Sequence, residues 1–261
     1  MDPLRITLIQ SVLHWEEPEK NLQLFSEKIN SLTEETDLVI LPEMFTSGFT
    51  MNATAVAEAP DGPAVQWMRR TAMQKKCVVT GSLVVEENRK YYNRLIWMFP
   101  DGSFKHYDKR HLFRLANEQN TYTPGTHRLL MEYKGWKIFP LICYDLRFPV
   151  WSRRSLEFDF DLLIYTANWP DRRIHAWNQL LPARAIENQC YVAGLNRVGA
   201  DGHSITHTGE SAVYNFRGEK LSHLRTNEEM SETVNLDLES LREFRKQFPF
   251  WQDADSFELQ P

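Results

Sequence analysis

The sequence of 261 residues contains few cysteines, no long apolar run and no excess of positive charge. Its three cysteines, Cys77, Cys143 and Cys190, have no Cys-x-x-Cys spacing, so the sequence offers neither a disulfide framework nor a zinc knuckle. No apolar stretch approaches the roughly 18 residues that a membrane-spanning helix needs. The net charge of −5 argues against nucleic-acid binding, because phosphate contacts require clustered lysine and arginine. We therefore expect neither a membrane nor a nucleic acid as a partner.

The start of the sequence lacks a basic segment followed by an apolar segment, so it predicts no signal peptide. Because sparse cysteines suit a reducing compartment, we expect a cytoplasmic protein. Hydrophobic residues form 42% and charged residues 25% of the chain, a composition typical of a folded globular protein. No repeat, low-complexity tract or linker divides the sequence, which predicts a single domain over residues 1–261. Its aromatic C-terminal tail, residues 248–261, is expected to pack on the core or on a partner subunit.

Short apolar runs alternate with segments of helical periodicity along the chain. The runs predict β-strands at residues 5–10, 38–41, 77–85, 91–99, 138–143, 162–166, 190–195, 211–216 and 233–238. The periodic segments predict helices at residues 18–32, 64–76, 149–158, 173–189 and 241–246. Residues 105–125 show neither pattern, and long irregular segments of this kind tend to carry function. Strands joined by helices pair in parallel and hairpin strands pair antiparallel, so the pattern predicts an α/β fold with mixed sheets.

Cys143 lies at the end of the apolar run 138–142, immediately before a turn that leads toward a predicted helix. In α/β folds the carboxyl ends of strands form the edge where ligands bind. Backbone N–H groups at such a turn stabilise negative charge, which can lower the pKa of a thiol and hold an oxyanion. Cys143 is therefore a candidate nucleophile, although a free cysteine is more commonly a small buried apolar residue. Cys77 and Cys190 each open an apolar run, which places them in the predicted core.

A thiol nucleophile needs a base, and Glu43 is a candidate because it follows the apolar run 38–41 as Cys143 follows its own. Partial burial raises the pKa of a glutamate, which suits a general base near neutral pH. The alternative is that Glu43 is an ordinary surface residue at a strand end, with no catalytic role. Lys109 could stabilise an oxyanion by its positive charge. None of the eight histidines has a spacing that places it as the base, and no His-Glu-x-x-His pattern predicts a metal site.

Three segments that contain these residues resemble, in the same order, the signature segments of the nitrilase, or carbon–nitrogen hydrolase, superfamily. They are Leu-Pro-Glu-Met-Phe at 41–45, Tyr-Asp-Lys-Arg-His-Leu-Phe at 107–113 and Ile-Cys-Tyr-Asp-Leu-Arg-Phe-Pro at 142–149. The resemblance continues through residues 166–170, 183–192, 196–199 and 209–211. It implies an αββα sandwich with two mixed β-sheets that pairs into a four-layer homodimer, and this expectation agrees with the mixed sheets predicted above.

The resemblance also implies roles for individual residues. Cys143 would be the nucleophile, Glu43 the general base and Lys109 the cation beside the oxyanion, with the backbone N–H of Tyr144 as a second oxyanion donor. The family often has a further glutamate, and Glu118 occupies that position, nine residues after Lys109, an interval that is short for the wider superfamily. No metal or organic cofactor is implied.

Within the family, the sequence most resembles bacterial omega-amidases, which remove the terminal amide of 2-oxo dicarboxylic acid monoamides such as 2-oxoglutaramate and 2-oxosuccinamate. The implied reaction releases the acid and ammonia through a thioester on Cys143. A nitrilase, a carbamoylase, an amidase for deaminated glutathione and a non-enzymatic binding protein of the same fold remain alternatives. The implied partners are a small-molecule amide and a second copy of the chain.

Such a substrate carries a carboxylate at its far end, which predicts a clamp of cationic side chains. Four arginines lie near the motif segments, namely Arg114, Arg147, Arg172 and Arg173. We expect Arg114 and Arg172 to contribute to the clamp, whereas Arg147 could instead hold the turn that follows the nucleophile. Aromatic walls are predicted from Phe45, Phe49, Tyr144 and Trp169, and Trp169 is favoured because it follows a strand end.

Overall fold

The computed structural model of the chain describes residues 3–259, and in that range it contains two mixed β-sheets, a two-stranded ribbon and five α-helices. The strands are β1 (Leu4–Gln10), β2 (Leu38–Ile40), β3 (Val78–Glu87), β4 (Lys90–Met98), β5 (Phe104–Asp108), β6 (Met131–Tyr133), β7 (Trp136–Ile142), β8 (Leu162–Ala167), β9 (Tyr191–Asn196), β10 (Val198–Ala200), β11 (Thr206–Thr208), β12 (Ala212–Tyr214) and β13 (Met230–Leu236). The helices are α1 (Pro18–Asn30), α2 (Ala53–Val56), α3 (Pro63–Lys75), α4 (Ile174–Asn188) and α5 (Leu238–Gln247). Among these described helices, none is both long and apolar enough to cross a membrane.

The first sheet has six strands in the order β13-β1-β2-β3-β4-β5. Its strands β1, β2 and β3 pair in parallel, and β13, β4 and β5 add antiparallel pairs toward the two edges. The second sheet has five strands in the order β12-β9-β8-β7-β6, with β7, β8 and β9 in parallel and the outer two antiparallel. The prediction of an α/β fold with mixed sheets is confirmed.

Neighbouring residues of the central strands point to opposite faces of each sheet, and both faces are apolar. Ile40 of the first sheet and Ile164 of the second belong to one buried cluster between the sheets. Val39 points the other way and packs in a cluster with α1 and α3, whereas Leu163 packs in a cluster with α4. The order of layers is therefore helix, sheet, sheet, helix, which is the αββα sandwich that the family resemblance implied.

The carboxyl ends of several strands meet at one edge of this sandwich. Strand β2 ends three residues before Glu43, and β5, which runs in the same direction as β2 and β3, ends next to Lys109. In the second sheet, β7 ends next to Cys143 and β8 ends next to Asn168. The backbone N–H of Asn168 donates to the Glu43 carboxylate at 2.9 Å, so the carboxyl edges of the two sheets lie side by side.

Several segments differ from the prediction, and the short elements α2, β6, β10 and β11 were not predicted. Strand β5 extends from Phe104 into the region 105–125 that we expected to be irregular, because it continues the antiparallel ladder beyond β4. The predicted helix at 149–158 is wrong, since these residues form turns. The Trp151 side chain in this segment bonds to a residue far away in the sequence, because its Nε1 donates to the Tyr107 hydroxyl at 3.0 Å.

The aromatic C-terminal tail is packed only in part. The Phe248 ring lies 5.3 Å from the Phe244 ring, measured between centroids, and Leu259 packs against the cluster on the outer face of the second sheet. Phe250 remains 60% exposed. Residues 260 and 261 of the predicted tail, and residues 1 and 2 of the predicted domain, lie outside the described residues. A partner subunit that covers the exposed rings stays a prediction.

Candidate active site

The carboxyl edge of the two sheets surrounds a cavity of about 270 Å³, a volume that suits a small organic molecule. Glu43, Lys109 and Cys143 all line it, so the structure brings the three predicted reactive residues together. The other lining residues are Phe49, Met51, Phe113, Ala116, Tyr144, Arg147, Asn168, Trp169, Pro170, Arg173, Asp201, His203, Ile205 and His207.

A buried ion cluster lies beside the cavity. The Lys109 Nζ is 2.8 Å from Oε1 of Glu43 and 3.0 Å from each carboxylate oxygen of Glu118. All three side chains are buried, and Glu118 also accepts a hydrogen bond from the backbone N–H of Phe113. Although Glu118 follows Lys109 by the short interval noted in the sequence, it reaches the cluster because the chain turns back after β5.

Burial and charge act in opposite directions on this cluster. Burial lowers the pKa of Lys109, but the Glu118 and Glu43 carboxylates raise it more, so its pKa lies above the ordinary value and the amine stays protonated. Burial also raises the pKa of Glu118, and the nearby Glu43 carboxylate adds to this effect while Lys109 opposes it. The Lys109 ammonium thus pairs with two carboxylates, and all three side chains are buried.

The Glu43 carboxylate is fixed by donors from both sheets. Asn93 Nδ2, on β4, donates to Oε1 at 2.9 Å, and the backbone N–H of Asn168 donates to Oε2 at 2.9 Å. The loop that carries Glu43 also packs closely on β3 at Gly81, where an added Cβ would lie 2.7 Å from the Leu41 Cβ. Glycine at that position lets the carboxylate-bearing loop approach the sheet.

Cys143 occupies a strained position at the start of a short 3₁₀ turn, Cys143–Arg147. Its φ angle is 43°, in the left-handed region that residues with a Cβ seldom adopt, and its exposed fraction is 9%. Burial raises the pKa of the thiol well above its ordinary value, and the negative charge of the nearby Glu43 carboxylate raises it further against the opposing effect of Lys109. The expectation of a lowered thiol pKa at this turn is therefore wrong: the thiol is protonated and needs a base.

Two guanidinium groups that line the cavity, those of Arg147 and Arg173, form no salt bridge within 4 Å among residues 3–259. The Arg147 guanidinium lies 5.0 Å from the Trp169 ring centroid, and the Arg173 guanidinium lies 4.9 Å from the Phe113 ring centroid. Burial lowers the pKa of Arg173, and the charges of Arg172 and Arg147 lower it too, while the Asp171 carboxylate raises it. The guanidinium groups of Arg147 and Arg173 are therefore close enough to repel each other.

The predicted substrate-binding residues fall into two groups. Tyr144 and Trp169 line the cavity, as expected. Phe45, Arg114 and Arg172 do not line it, so the structure contradicts these three assignments. Phe45 is fully buried in the cluster between the first sheet and its helices, where its ring lies 5.7 Å from that of Phe25. Arg114 and Arg172 point outward from their 3₁₀ turns and are exposed.

The β10–β11 hairpin supplies lining residues that the sequence patterns did not place at the site, among them His203, Ile205 and His207. Burial, together with the nearby Arg197 guanidinium, lowers the pKa of His207 to about 4, so His207 is neutral at neutral pH. No sequence signal identified this hairpin, because its strands have only three residues each. The position of Asn168 at the site could have been predicted from the sequence, since Asn168 follows a strand end as Glu43 and Cys143 do.

The site is equipped for acyl chemistry by side chains. Within residues 3–259, no group of three or more histidine, cysteine, aspartate or glutamate residues is placed to hold a metal ion. A protonated thiol, a carboxylate and a buried ammonium lie together in one cavity, where they can act as a nucleophile, a proton acceptor and a positive charge. These are the groups that nucleophilic attack on a carbonyl carbon requires.

Similarity to known proteins extends over nearly the whole chain. The sequence model of the family Carbon-nitrogen hydrolase matches residues 5–246. The chain is 46% identical to omega-amidase YafV of Escherichia coli strain K12, over 99% of this chain and 100% of that protein. It is 32% identical to 2-oxoglutaramate amidase of Bacillus subtilis strain 168, over 95% of this chain and 96% of that protein. The crystal structure of XC1258 from Xanthomonas campestris, a CN-hydrolase superfamily protein with an arsenic adduct in the active site, matches with a TM-score of 0.97 at 44% identity over 100% of both chains.

Proposed function

The chain belongs to the carbon–nitrogen hydrolase family and is an amide hydrolase, and from that premise we propose that it removes the terminal amide of small 2-oxo dicarboxylic acid monoamides. The proposed substrates are 2-oxoglutaramate and 2-oxosuccinamate, and the products are ammonia and the corresponding acid. The names of the relatives called omega-amidase and 2-oxoglutaramate amidase support this choice. The observation that carries it is the pair of guanidinium groups without a salt bridge, Arg147 and Arg173, in the same cavity as Cys143.

These two arginines form the proposed carboxylate clamp. A guanidinium group binds a carboxylate through two parallel hydrogen bonds, and an anion between two guanidinium groups also relieves their mutual repulsion. Stacking on Trp169 and Phe113 limits the freedom of both side chains before substrate arrives, which lowers the entropic cost of binding. The clamp therefore binds the end of the substrate that carries the 2-oxo acid and directs the amide toward Cys143.

In the proposed first step, Glu43 takes the proton of the Cys143 thiol and the sulfur attacks the amide carbonyl carbon. The carbon–sulfur bond forms while the carbonyl electrons move to oxygen. Collapse of this intermediate breaks the carbon–nitrogen bond, and the nitrogen leaves as ammonia with the proton that Glu43 held. The position of Glu43 beside Cys143 in the cavity supports this assignment, because the raised pKa of Cys143 makes proton removal the first requirement.

The negative oxygen of the intermediate is stabilised, in this proposal, by the Lys109 ammonium and the backbone N–H of Tyr144. Lys109 is already fixed by two carboxylates, so little reorganisation is needed when charge develops on the substrate. Glu118 keeps the ammonium in place and does not itself exchange protons with the substrate. Water then attacks the thioester, gives a proton to Glu43 and releases the acid, and the sulfur takes back its proton.

The proposed function is tested with a panel of amides scored by ammonia release. We expect kcat/KM for 2-oxoglutaramate and 2-oxosuccinamate to exceed that for glutamine, for butanamide, which has no carboxylate, and for a simple nitrile. Cys143→Ala should abolish ammonia release while the protein stays folded. A wild-type preference for butanamide or for the nitrile would contradict the substrate assignment, and near-normal turnover by Cys143→Ala would contradict the nucleophile.

A matched pair of arginine variants tests the clamp. Arg173→Met should lower kcat/KM for 2-oxoglutaramate by about 10- to 100-fold, because a hydrogen bond to a charged group is lost, and should leave the hydrolysis of butanamide unchanged. Arg172→Met is the control, since Arg172 is adjacent in sequence but exposed and away from the cavity. Equal effects of the two substitutions would contradict the clamp.

A homodimer and a cytoplasmic location belong to the same proposal. Exposed apolar side chains in the C-terminal part of the described chain, such as Phe250 and Phe257, support a surface that a second copy covers. Light scattering at several protein concentrations tests the dimer. A monomer at all concentrations would contradict it.

A further inference from the structure

Asp145 is a fully buried carboxylate two residues after Cys143, and it does not line the cavity. Its Oδ2 accepts hydrogen bonds from the backbone N–H of Ile142 at 3.1 Å and from the Tyr107 hydroxyl at 2.8 Å. Its Oδ1 accepts from the backbone N–H of His111 at 3.0 Å and contacts His111 Nδ1 at 2.7 Å. Four polar contacts thus converge on one carboxylate.

These contacts join two separate segments of the chain. Ile142 ends β7 and directly precedes Cys143, whereas Tyr107 and His111 lie on either side of Lys109 at the end of β5. Strand β5 belongs to the first sheet and β7 to the second, so strand pairing alone does not set the distance between Cys143 and Lys109. The Asp145 carboxylate connects the two segments directly.

The partners of Asp145 are themselves held in place. The His111 ring stacks on Phe148 with the centroids 3.8 Å apart and the planes 6° from parallel. The Tyr107 hydroxyl also accepts a hydrogen bond from Trp151 Nε1 at 3.0 Å. The φ angle of Cys143, 43°, is strained, so several independent contacts are needed to hold its turn in this geometry.

We infer that Asp145 is a positioning residue that holds the Cys143 sulfur at its working position relative to Lys109. The inference rests on the proposed function, because it takes Cys143 as the attacking group. Loss of the Asp145 contacts should displace the sulfur without removing any group that touches the substrate. It should therefore slow the reaction much more than it weakens substrate binding.

The first test compares two substitutions of buried aspartates. Asp145→Asn keeps the size of the side chain but replaces an accepting oxygen by a donating amide. We expect kcat for 2-oxoglutaramate to fall about 100-fold with KM changed by less than about threefold, and the rate of Cys143 alkylation by iodoacetamide to fall as well. Asp37→Asn is the matched control, because Asp37 is a buried carboxylate with several donors at the opposite end of β2. Its kcat should equal that of the wild type.

The second test keeps the carboxylate and changes one donor. His111→Leu removes the Nδ1 contact, and we expect kcat to fall about tenfold, as for the loss of one hydrogen bond to a charged group. His111→Asn places a side-chain nitrogen close to the original Nδ1 and should recover most of that loss. Recovery of kcat by a conservative donor distinguishes positioning from a general loss of stability.

The outcomes separate the inference from the proposed function. A large kcat loss in Asp145→Asn, with recovery in His111→Asn, supports the inference. Wild-type kcat and alkylation rate in Asp145→Asn, or an equal kcat loss in Asp37→Asn, would overturn it. Because alkylation of Cys143 needs no substrate, it tests the inference even if the wild type fails to hydrolyse 2-oxoglutaramate, a failure that overturns only the substrate assignment.

Discussion

Strand β2 has a carboxylate near each end, and the surroundings of the two differ. Asp37 directly precedes the strand and accepts hydrogen bonds from the backbone N–H and guanidinium of Arg5 at 2.9 to 3.1 Å, and from Lys134. Both cations reach solvent, with the Arg5 side chain 32% and the Lys134 side chain 49% exposed. Glu43 follows the strand by three residues and pairs with Lys109, which is only 1% exposed.

The charge balance also differs between the two ends. Burial raises the pKa of Asp37, but Arg5 and Lys134 lower it by more, to about 2; Arg5 also pairs with the exposed Glu35, so two cations balance two carboxylates at this end. At the other end, one cation, Lys109, serves both Glu43 and Glu118. A buried cluster with more carboxylates than cations is a poor way to stabilise a fold, because the desolvation of each charge is costly. The amino end of β2 is therefore arranged for stability and the carboxyl end for chemistry.

The largest expected effect comes from Lys109→Met. The substitution leaves two buried carboxylates without a cation, so we expect the free energy of unfolding to fall by about 3–5 kcal/mol. We also expect amide hydrolysis to fall by about 10³-fold or more, because the oxyanion loses its cation. Urea unfolding and ammonia release measure the two effects. The control is Lys134→Met at the amino end, which should cost at most about 1 kcal/mol and no activity. If Lys109→Met were as stable as Lys134→Met, the proposed difference between the two ends of β2 would be contradicted.

Glu43→Gln should show the next largest effect, mainly on the reaction. The amide keeps the shape of the side chain but cannot take the proton of Cys143, so we expect kcat to fall by about 10²–10⁴-fold. Mass spectrometry of the intact protein mixed with 2-oxoglutaramate should show little acyl-enzyme. A variant with a normal burst and a normal steady-state rate would exclude Glu43 from proton transfer.

Glu118→Gln should have a smaller effect and separates the two carboxylates of the cluster. Glu118 holds Lys109 through both oxygens, so its substitution weakens one charge-assisted contact without removing the proton acceptor. We expect kcat to fall by about 10- to 100-fold, less than in Glu43→Gln. Equal losses in both variants would show that Glu118 takes part in proton transfer itself.

The contrast between the ends of β2 also shows what sequence patterns can and cannot predict. Glu43 and Cys143 each follow a buried apolar strand, and in an α/β fold such positions meet at one edge. Lys109 and Glu118 depended on the family resemblance, because Lys109 and the strand that precedes it lie in a region without a clear pattern. Asn93 could not be identified, since its contact with Glu43 depends on how β4 pairs within the sheet.

The arginines show most clearly what sequence patterns cannot predict. Arg172 and Arg173 are adjacent in a 3₁₀ turn, in which successive side chains point about 120° apart. One therefore reaches solvent and the other the cavity, and sequence proximity to a motif does not distinguish them. The helix predicted at 149–158 failed for a related reason: side chains such as Trp151 bond to residues far away in sequence, which no local periodicity reveals.

The smallest expected effect concerns the amino end alone and tests whether its role is limited to stability. Against the raising effect of burial, Arg5 and Lys134 lower the pKa of Asp37 from its ordinary value of 3.8 to about 2, so ionised Asp37 stabilises the fold above about pH 4, and this contribution is lost as the pH falls toward 2. Allowing for screening by solvent, we expect Asp37→Asn to be about 1–2 kcal/mol less stable at pH 7, with unchanged kcat. Urea unfolding between pH 7 and pH 2 should show the difference between variant and wild type shrinking to nothing at the acid limit. A difference that stays constant would mean that neutral hydrogen bonds, and not the charge, stabilise this end, and a loss of kcat would mean that both ends of β2 serve the reaction.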